Sequence, residues 1–259
     1  MIVCKFGGTS VASAEQIKKV FNIVKSNPER KVVAVSAPGK RSSEDIKVTD
    51  LLIDLAEAAL IGGDVDGKID AVVKRYEDIT IGLGLDHTMS EVIAADLRER
   101  VAGDKSNKEL FIDSLKASGE DNNAKLIAAY FNAAGVPARY VSPKEGLIVN
   151  DLPERTYALP EAYDNLSSLK DTKEVVIFPG FFGYTKDGIL RTFDRGGSDI
   201  TGSILASAVG ASLYENFTDV DCVFSANPKV INSPAEIKEI TYREMRELSY
   251  AGFAVFHDE

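Results

Sequence analysis

The chain predicts an α/β fold, a three-layer α/β/α sandwich around a mainly parallel central sheet. Three observations carry that prediction. Short β-branched runs alternate with longer stretches whose apolar residues recur at helical spacing. One of the short runs, KVVAVS at residues 31–36, holds a continuous apolar core, as expected of a strand buried on both faces. Glycine and proline gather where the apolar runs stop.

Ile2–Phe6 opens the chain as a short apolar strand. Residues 14–25 place Ile17, Val20, Phe21 and Val24 on one helical face. Ser13 is placed to cap that helix, and Pro28 ends it. After the strand at 31–36, Ala37-Pro38-Gly39 turns the chain. From about residue 45 to 130 the chain reads as mostly helical. LLIDLAEAAL, KIDAVVKRYEDI, SEVIAADLRERVA and AKLIAAYFNAA each carry a helical stripe, with breaks at Gly62-Gly63, residues 82–84 and Gly103. Strands return at 138–141 and at 174–178 (EVVIF), the second followed by Pro179-Gly180. Lys186-Asp187-Gly188 signals a hairpin. A helix fits 199–208, a strand 211–217 and a last helix 242–251.

The length of 259 residues suits one large domain or two small ones. A net charge of -10 argues against a nucleic-acid partner. An acidic protein that handles anions must collect positive potential locally, from a few basic side chains and helix N-termini. The two cysteines, Cys4 and Cys222, sit in apolar, strand-like stretches and support neither a disulfide framework nor a metal site. They read as small buried hydrophobes, which fits a reducing cytosol. No signal peptide and no bilayer-spanning run is visible, so a cytoplasmic protein with no membrane partner is expected.

In a parallel α/β sheet, ligands sit at the carboxyl ends of the strands. The endings here are Lys5-Phe6-Gly7-Gly8-Thr9-Ser10, Ser36-Ala37-Pro38-Gly39-Lys40, Pro179-Gly180-Phe181 with Arg195-Gly196-Gly197-Ser198-Asp199 beyond it, and Thr218-Asp219-Val220-Asp221. Glycine lets backbone approach a ligand closely, and successive amides can cradle an anion. Helices following Gly8 and Gly197 would point their N-termini at the same edge, which makes it a phosphate site. Neither GxxxxGK[ST] nor GxGxxG is present. Each piece also has a plainer reading: a Gly-Gly turn, a helix cap at Ser198-Asp199, a lysine snorkelling from a sheet edge at Lys5. Their joint occurrence at strand ends favours the site.

KFGGTS, RGGSD and FTDVDCVFSANP resemble the aspartate kinases of the amino-acid kinase superfamily, over essentially the whole chain. KFGGTSVA and TFDRGGSDITG are the most specific stretches, and YAGFAVFHDE is similar to the ending in one aspartate kinase subgroup. The resemblance implies an eight-stranded, mainly parallel sheet in one catalytic domain over residues 1–259, with aspartate over the N-terminal half and ATP over the C-terminal half. It implies ATP- and Mg2+-dependent phosphorylation of the side-chain carboxylate of L-aspartate to 4-phospho-L-aspartate, the first step toward lysine, threonine and methionine. Mg2+ would ride on the ATP phosphates with no protein metal site.

By motif matching, Lys5 is the phosphate-neutralising lysine and Asp199 the aspartate that places it. Gly7, Gly8 and Ser10 cradle phosphates. Ser36, Thr49, Phe181 and Ser198 contact substrate, Glu120 takes its ammonium and Arg195 its α-carboxylate. Thr218 and Asp219, Phe224 and Lys229 contact the nucleotide. Lys229 stands where many relatives have arginine, and Ala254 where many have a nucleotide-contacting lysine. Glu120 has a plainer reading too, as a first-turn helix carboxylate. The family usually continues past the position of Glu259 into paired ACT domains, through which a homo-oligomer is expected. Acetylglutamate, glutamate, carbamate and uridylate kinases are the rivals within the superfamily, and a nucleotide-binding module without catalysis is the rival outside it.

Overall fold

The computed structural model describes residues 1–152, 155–194, 196–218, 222–225 and 231–250. The chain divides into two units, residues 1–217 and 218–259. The first is built on a five-stranded sheet in the order β3-β4-β2-β1-β7, formed by β1 (Ile2–Phe6), β2 (Arg30–Val35), β3 (Ala138–Tyr140), β4 (Val175–Pro179) and β7 (Leu213–Phe217). Every pairing in this sheet is parallel. The expectation of eight strands is met by five in the main sheet among the described residues. β5 (Phe182–Tyr184) and β6 (Leu190–Thr192) form a separate hairpin, turned at Gly188 with φ 80° as its turn signal required.

Helices cover both faces. α1 (Ala14–Lys25), α2 (Val48–Ile61), α3 (Val65–Leu83), α4 (Thr88–Val101) and α5 (Lys108–Ala133) share one core cluster with Ile2, Cys4 and Phe6. α6 (Pro160–Leu166) and α7 (Gly197–Ala208) share the other with Val3, Val32 and Ala34. Strand alternation explains the split, because successive side chains of β1 point to opposite layers. Three layers follow, as the sequence predicts.

Local signals set the helix ends. The Ser13 hydroxyl accepts the Gln16 amide and caps α1. α2 and α3 end on Gly62 and Gly84, both left-handed, which only glycine adopts without strain. A 3-10 turn starts at Gly8 and α1 itself only at Ala14, later than a helix directly after Gly8 would begin. α5 starts far ahead of the AKLIAAYFNAA stripe. Its middle, residues 118–123, is polar yet buried, so no amphipathic period marks it.

The register fixes the edge. Phe6 lies opposite Val35 and Phe217, and Val35 opposite Pro179, so four strands stop on one row. Phe6 and Phe217 stack there with ring centroids 4.6 Å apart. In the second unit, β8 (Val223–Phe224) pairs antiparallel with β9 (Glu236–Ile237), and α8 (Tyr242–Tyr250) follows Thr241, whose hydroxyl accepts the Glu244 amide. Cys4 is fully buried and Cys222 half-buried, and neither is in a disulfide. Among the described residues, no helix is long and apolar enough to cross a membrane.

Candidate active site at the carboxyl edge of the sheet

Alternation along β1 turns Lys5 toward the α7 layer. There its Nζ lies 2.8 Å from Oδ1 of Asp199, in the first turn of α7. Lys5 is 7% exposed, so it does not snorkel to solvent; it is a buried cation held by a carboxylate. Asn216, the register partner of Lys5 on β7, donates its Nδ2 to the same oxygen at 2.9 Å. Burying an ion pair costs several kcal/mol per ion, roughly offset by the pairing, so stability alone does not call for one here. Asp199 lies inside the helix, whose N-cap is Gly196, so it is not the capping residue.

The glycines at this edge have separate tasks. The Gly7 amide donates to the Phe217 carbonyl at 3.3 Å, and the Ser10 amide to the Gly7 carbonyl at 3.0 Å. The amides of Gly8 and Thr9 make no backbone hydrogen bond among the described residues, which leaves them for an anion. A Cβ on Gly7 would lie 3.6 Å from Lys5 Nζ, in ordinary van der Waals contact with it. Gly8 and Gly39 interlock: a Cβ on Gly39 would fall 2.6 Å from the carbonyl carbon of Gly8.

Gly180 packs as tightly on α7, where a Cβ would lie 2.7 Å from the Ser198 Cβ and 2.8 Å from its Cα. Those atoms belong to or adjoin the helix backbone and cannot swing away. Gly180→Ala should therefore displace the first turn of α7, lowering kcat/KM at least tenfold, since misplacement of about 1 Å can cost a hundredfold. Steady-state assay beside a thermal melt checks this; an unchanged kcat/KM would refute the packing argument.

Next to Gly180, Phe181 has φ 77°, a left-handed conformation costing an aromatic residue on the order of 1 kcal/mol. It is over-determined: its amide donates to the Thr201 hydroxyl at 3.2 Å and its carbonyl accepts the Phe193 amide at 2.7 Å. Lys116 Nζ stands 5.6 Å from the Phe181 ring centroid and 2.8 Å from Asp113. A cavity of about 180 Å³ opens beside them, lined by Asp113, Lys116, Thr156, Arg191, Thr192 and Asp194.

The polar middle of α5 supports the neighbouring loop. The Ser36 hydroxyl donates to the Ser198 hydroxyl at 2.8 Å, joining the ends of β2 and α7. The Asn123 side-chain amide donates to the Ser36 carbonyl at 2.7 Å. Glu120 is fully enclosed and accepts from the Ala37 amide, but its Oε2 has no hydrogen-bond partner. Burial pushes its pKa up to about 8, against the pull of the Ala37 and Glu120 amides and the Lys116 charge. Glu120 lies mid-helix rather than in a first turn, so the dipole reading fails. Thr49 is half-buried in the first turn of α2.

The structure thus brings together Lys5, Gly7, Gly8 and Asp199 in one group, and Ser36, Ser198 and Glu120 in another, with Phe181 against Gly197. Thr218 and Phe224 belong to the second unit, where Phe224 sits in β8. Arg195, Asp219, Lys229 and Ala254 lie outside the described residues. His87 is exposed at the start of α4, away from the strand ends. Asn123, Asn216 and Arg75 were not anticipated. Nothing in the sequence marked them: the burial of the polar run Ser118-Gly119-Glu120-Asp121-Asn122-Asn123 shows only in the structure.

The profile described as "Amino acid kinase family" matches residues 1–259. The chain is 58% identical to Aspartokinase 3 of Bacillus subtilis over 260 residues, covering 100% of this chain and 57% of that protein. Its fold is similar to the crystal structure of Clostridium acetobutylicum aspartate kinase, with a TM-score of 0.85 and 33% identity over 99% of this chain and 56% of that one. It is also similar to E. coli aspartokinase III in complex with aspartate and ADP, with a TM-score of 0.83 and 27% identity over 100% of this chain and 58% of that one. The chain spans about half the length of these relatives.

Proposed function

This chain belongs to the amino acid kinase family, and on that premise we propose that it transfers the γ-phosphoryl group of MgATP to the side-chain carboxylate of L-aspartate. The observation that carries the reading is the buried Lys5–Asp199 pair at the carboxyl edge of the sheet, beside the open amides of Gly8 and Thr9. The bound aspartate and ADP of a structural relative support the choice of substrates.

The chemistry suits these residues. A substrate carboxylate has a reference pKa near 4, is ionised at neutral pH and needs no general base. One of its oxygens attacks the γ-phosphorus while the bond to the bridging oxygen breaks, giving 4-phospho-L-aspartate and ADP. Such transfers depend mainly on positioning and charge neutralisation. Lys5 would meet the charge on the transferred group, held in place by Asp199 and Asn216. In the Gly7–Ser10 loop the free amides of Gly8 and Thr9 would hold the phosphates, with Thr218, Asp219, Phe224 and Lys229 completing the nucleotide site. Glu120 would bind the substrate ammonium and Arg195 its α-carboxylate, as a planar guanidinium does through paired hydrogen bonds. Ser36, Thr49, Phe181 and Ser198 would line the remainder.

No three Asp, Glu, His or Cys side chains among the described residues converge to hold a metal. Mg2+ would ride on the ATP phosphates, as this ion commonly does with one or two carboxylates at most. Bound there, the ion neutralises phosphate charge. The same proposal takes residues 1–259 as a catalytic domain with aspartate over its N-terminal half and ATP over its C-terminal half, working in the cytoplasm as part of a homo-oligomer.

The test is a phosphoryl-transfer assay with the acyl phosphate trapped by hydroxylamine. Hydroxamate should form only with aspartate, ATP and Mg2+ together. Faster turnover with glutamate than aspartate, or ATP bound without turnover, overturns the reading.

A further inference from the structure

The loop between β2 and α2 has no regular structure, yet it is held shut. The Val48 amide donates to the Pro38 carbonyl at 3.1 Å across its base. Arg75, from α3, grips it from within. Its side chain is 6% exposed and lies 3.2 Å from the Asp45 carboxylate. Its Nη2 donates to the Gly39 carbonyl at 2.9 Å and its Nη1 to the Ile46 carbonyl at 2.5 Å. Asp45 is held in turn by the backbone amide and Nε of Arg41, each at 2.9 Å, which keep its carboxyl well below the usual range. A single guanidinium therefore ties both ends of the loop.

Burying that charge is expensive, and a well-packed apolar side chain is often at least as stabilising in such a place. What Arg75 supplies that an apolar residue cannot is a fixed position for the Gly39 carbonyl. Gly39 then passes that position on. Its amide donates to the Gly8 carbonyl at 2.8 Å, and its α-carbon packs where no side chain fits.

We infer that Arg75 is a positioning residue for the nucleotide: acting through Gly39, it sets the Gly8 backbone that receives the phosphates. The inference rests on the proposed kinase reading. Sequence does not single it out, because Arg75 sits beside Lys74, Glu77 and Asp78 in a helix whose stripe is set by its apolar residues.

The experiment measures MgADP affinity by calorimetry, and KM for aspartate, on the full chain and on Arg75→Lys, Gly39→Ala and the double variant. Lysine keeps the charge but cannot span the Gly39 and Ile46 carbonyls together. Arg75→Lys should weaken MgADP about tenfold and leave KM for aspartate within about twofold, and the double variant should be no worse than the poorer single, as for residues acting through one contact. Unchanged MgADP affinity in Arg75→Lys, whatever its melting temperature, makes Arg75 a structural brace and overturns the inference, as would fully additive losses. If Arg75→Lys does not fold, Asp45→Asn loosens the same guanidinium; a severalfold loss of MgADP affinity supports the inference and no loss overturns it. A parent chain that binds MgADP but does not phosphorylate aspartate would sink the kinase reading alone, since the nucleotide readout still tests Arg75.

Discussion

Lys5→Ala is expected to lower kcat about a thousandfold, the scale seen when one preorganised donor to transition-state charge is removed. KM for aspartate should stay within about twofold, because the aspartate contacts proposed above do not include the ammonium of Lys5. The fold should survive: Asp199 keeps its hydrogen bond from Asn216 and is partly exposed at 27% of its side chain, so its charge is not stranded. A loss confined to KM would contradict the role, since it would mean that Lys5 helps substrate and transition state equally. Single-turnover kinetics beside a thermal melt separate these outcomes.

Glu120→Gln is expected to change two things at once. KM for aspartate should rise about thirtyfold, equivalent to about 2 kcal/mol, the lower range for truncating one side of a buried charge pair. Ligand-free stability should move the other way. The folded carboxyl has a pKa pushed up to about 8, against about 4.3 in the unfolded chain. Between those values the folded state keeps a proton that the unfolded state has lost, so this group's contribution is fully present below the unfolded pKa and falls as pH rises toward 8. Glutamine has no such dependence. The variant should therefore gain on the parent between pH 5 and pH 8, by on the order of 4 kcal/mol at the limit, at about 1.4 kcal/mol per pKa unit. Urea midpoints at the two pH values measure it; a constant gap removes the assignment. Aspartate binding at pH 7 should also release about one proton from the parent and none from Glu120→Gln, read as buffer-dependent binding enthalpy.

β2 and β4 were legible because they are largely buried and read as apolar runs. α1 was legible because Ile17, Val20, Phe21 and Val24 mark one face and Ser13 its start. α5 was legible only in its second half. Its middle, residues 118–123, is buried with polar residues turned inward, so neither period nor hydrophobicity announces it. α6, seven residues long, is too short to leave a pattern.

The site divides in the same way. Lys5 stood out because a cation inside an apolar strand breaks the local rule, and such breaks concentrate at functional positions. Arg75 and Asn123 break no such rule. Each acts on a backbone carbonyl, of Gly39 or of Ser36, and carbonyls look alike at every position of a sequence. Asn216 is equally silent: its meaning depends on lying opposite Lys5, which only the register between β1 and β7 supplies.

That register bears on how the protein comes to life on the ribosome. Within this unit β1 precedes the other strands in sequence, yet one of its two neighbours is β7, at Leu213–Phe217. Lys5 gains Asp199 and Asn216 only when chain from nearly the far end of this unit arrives. Pairings this distant in sequence are slow to form, because loop closure must precede any gain from contact. A nascent chain lacking β7 has its glycine loop but not the arrangement around its lysine, so the Lys5–Asp199–Asn216 group assembles only after the last strand of this unit has been made.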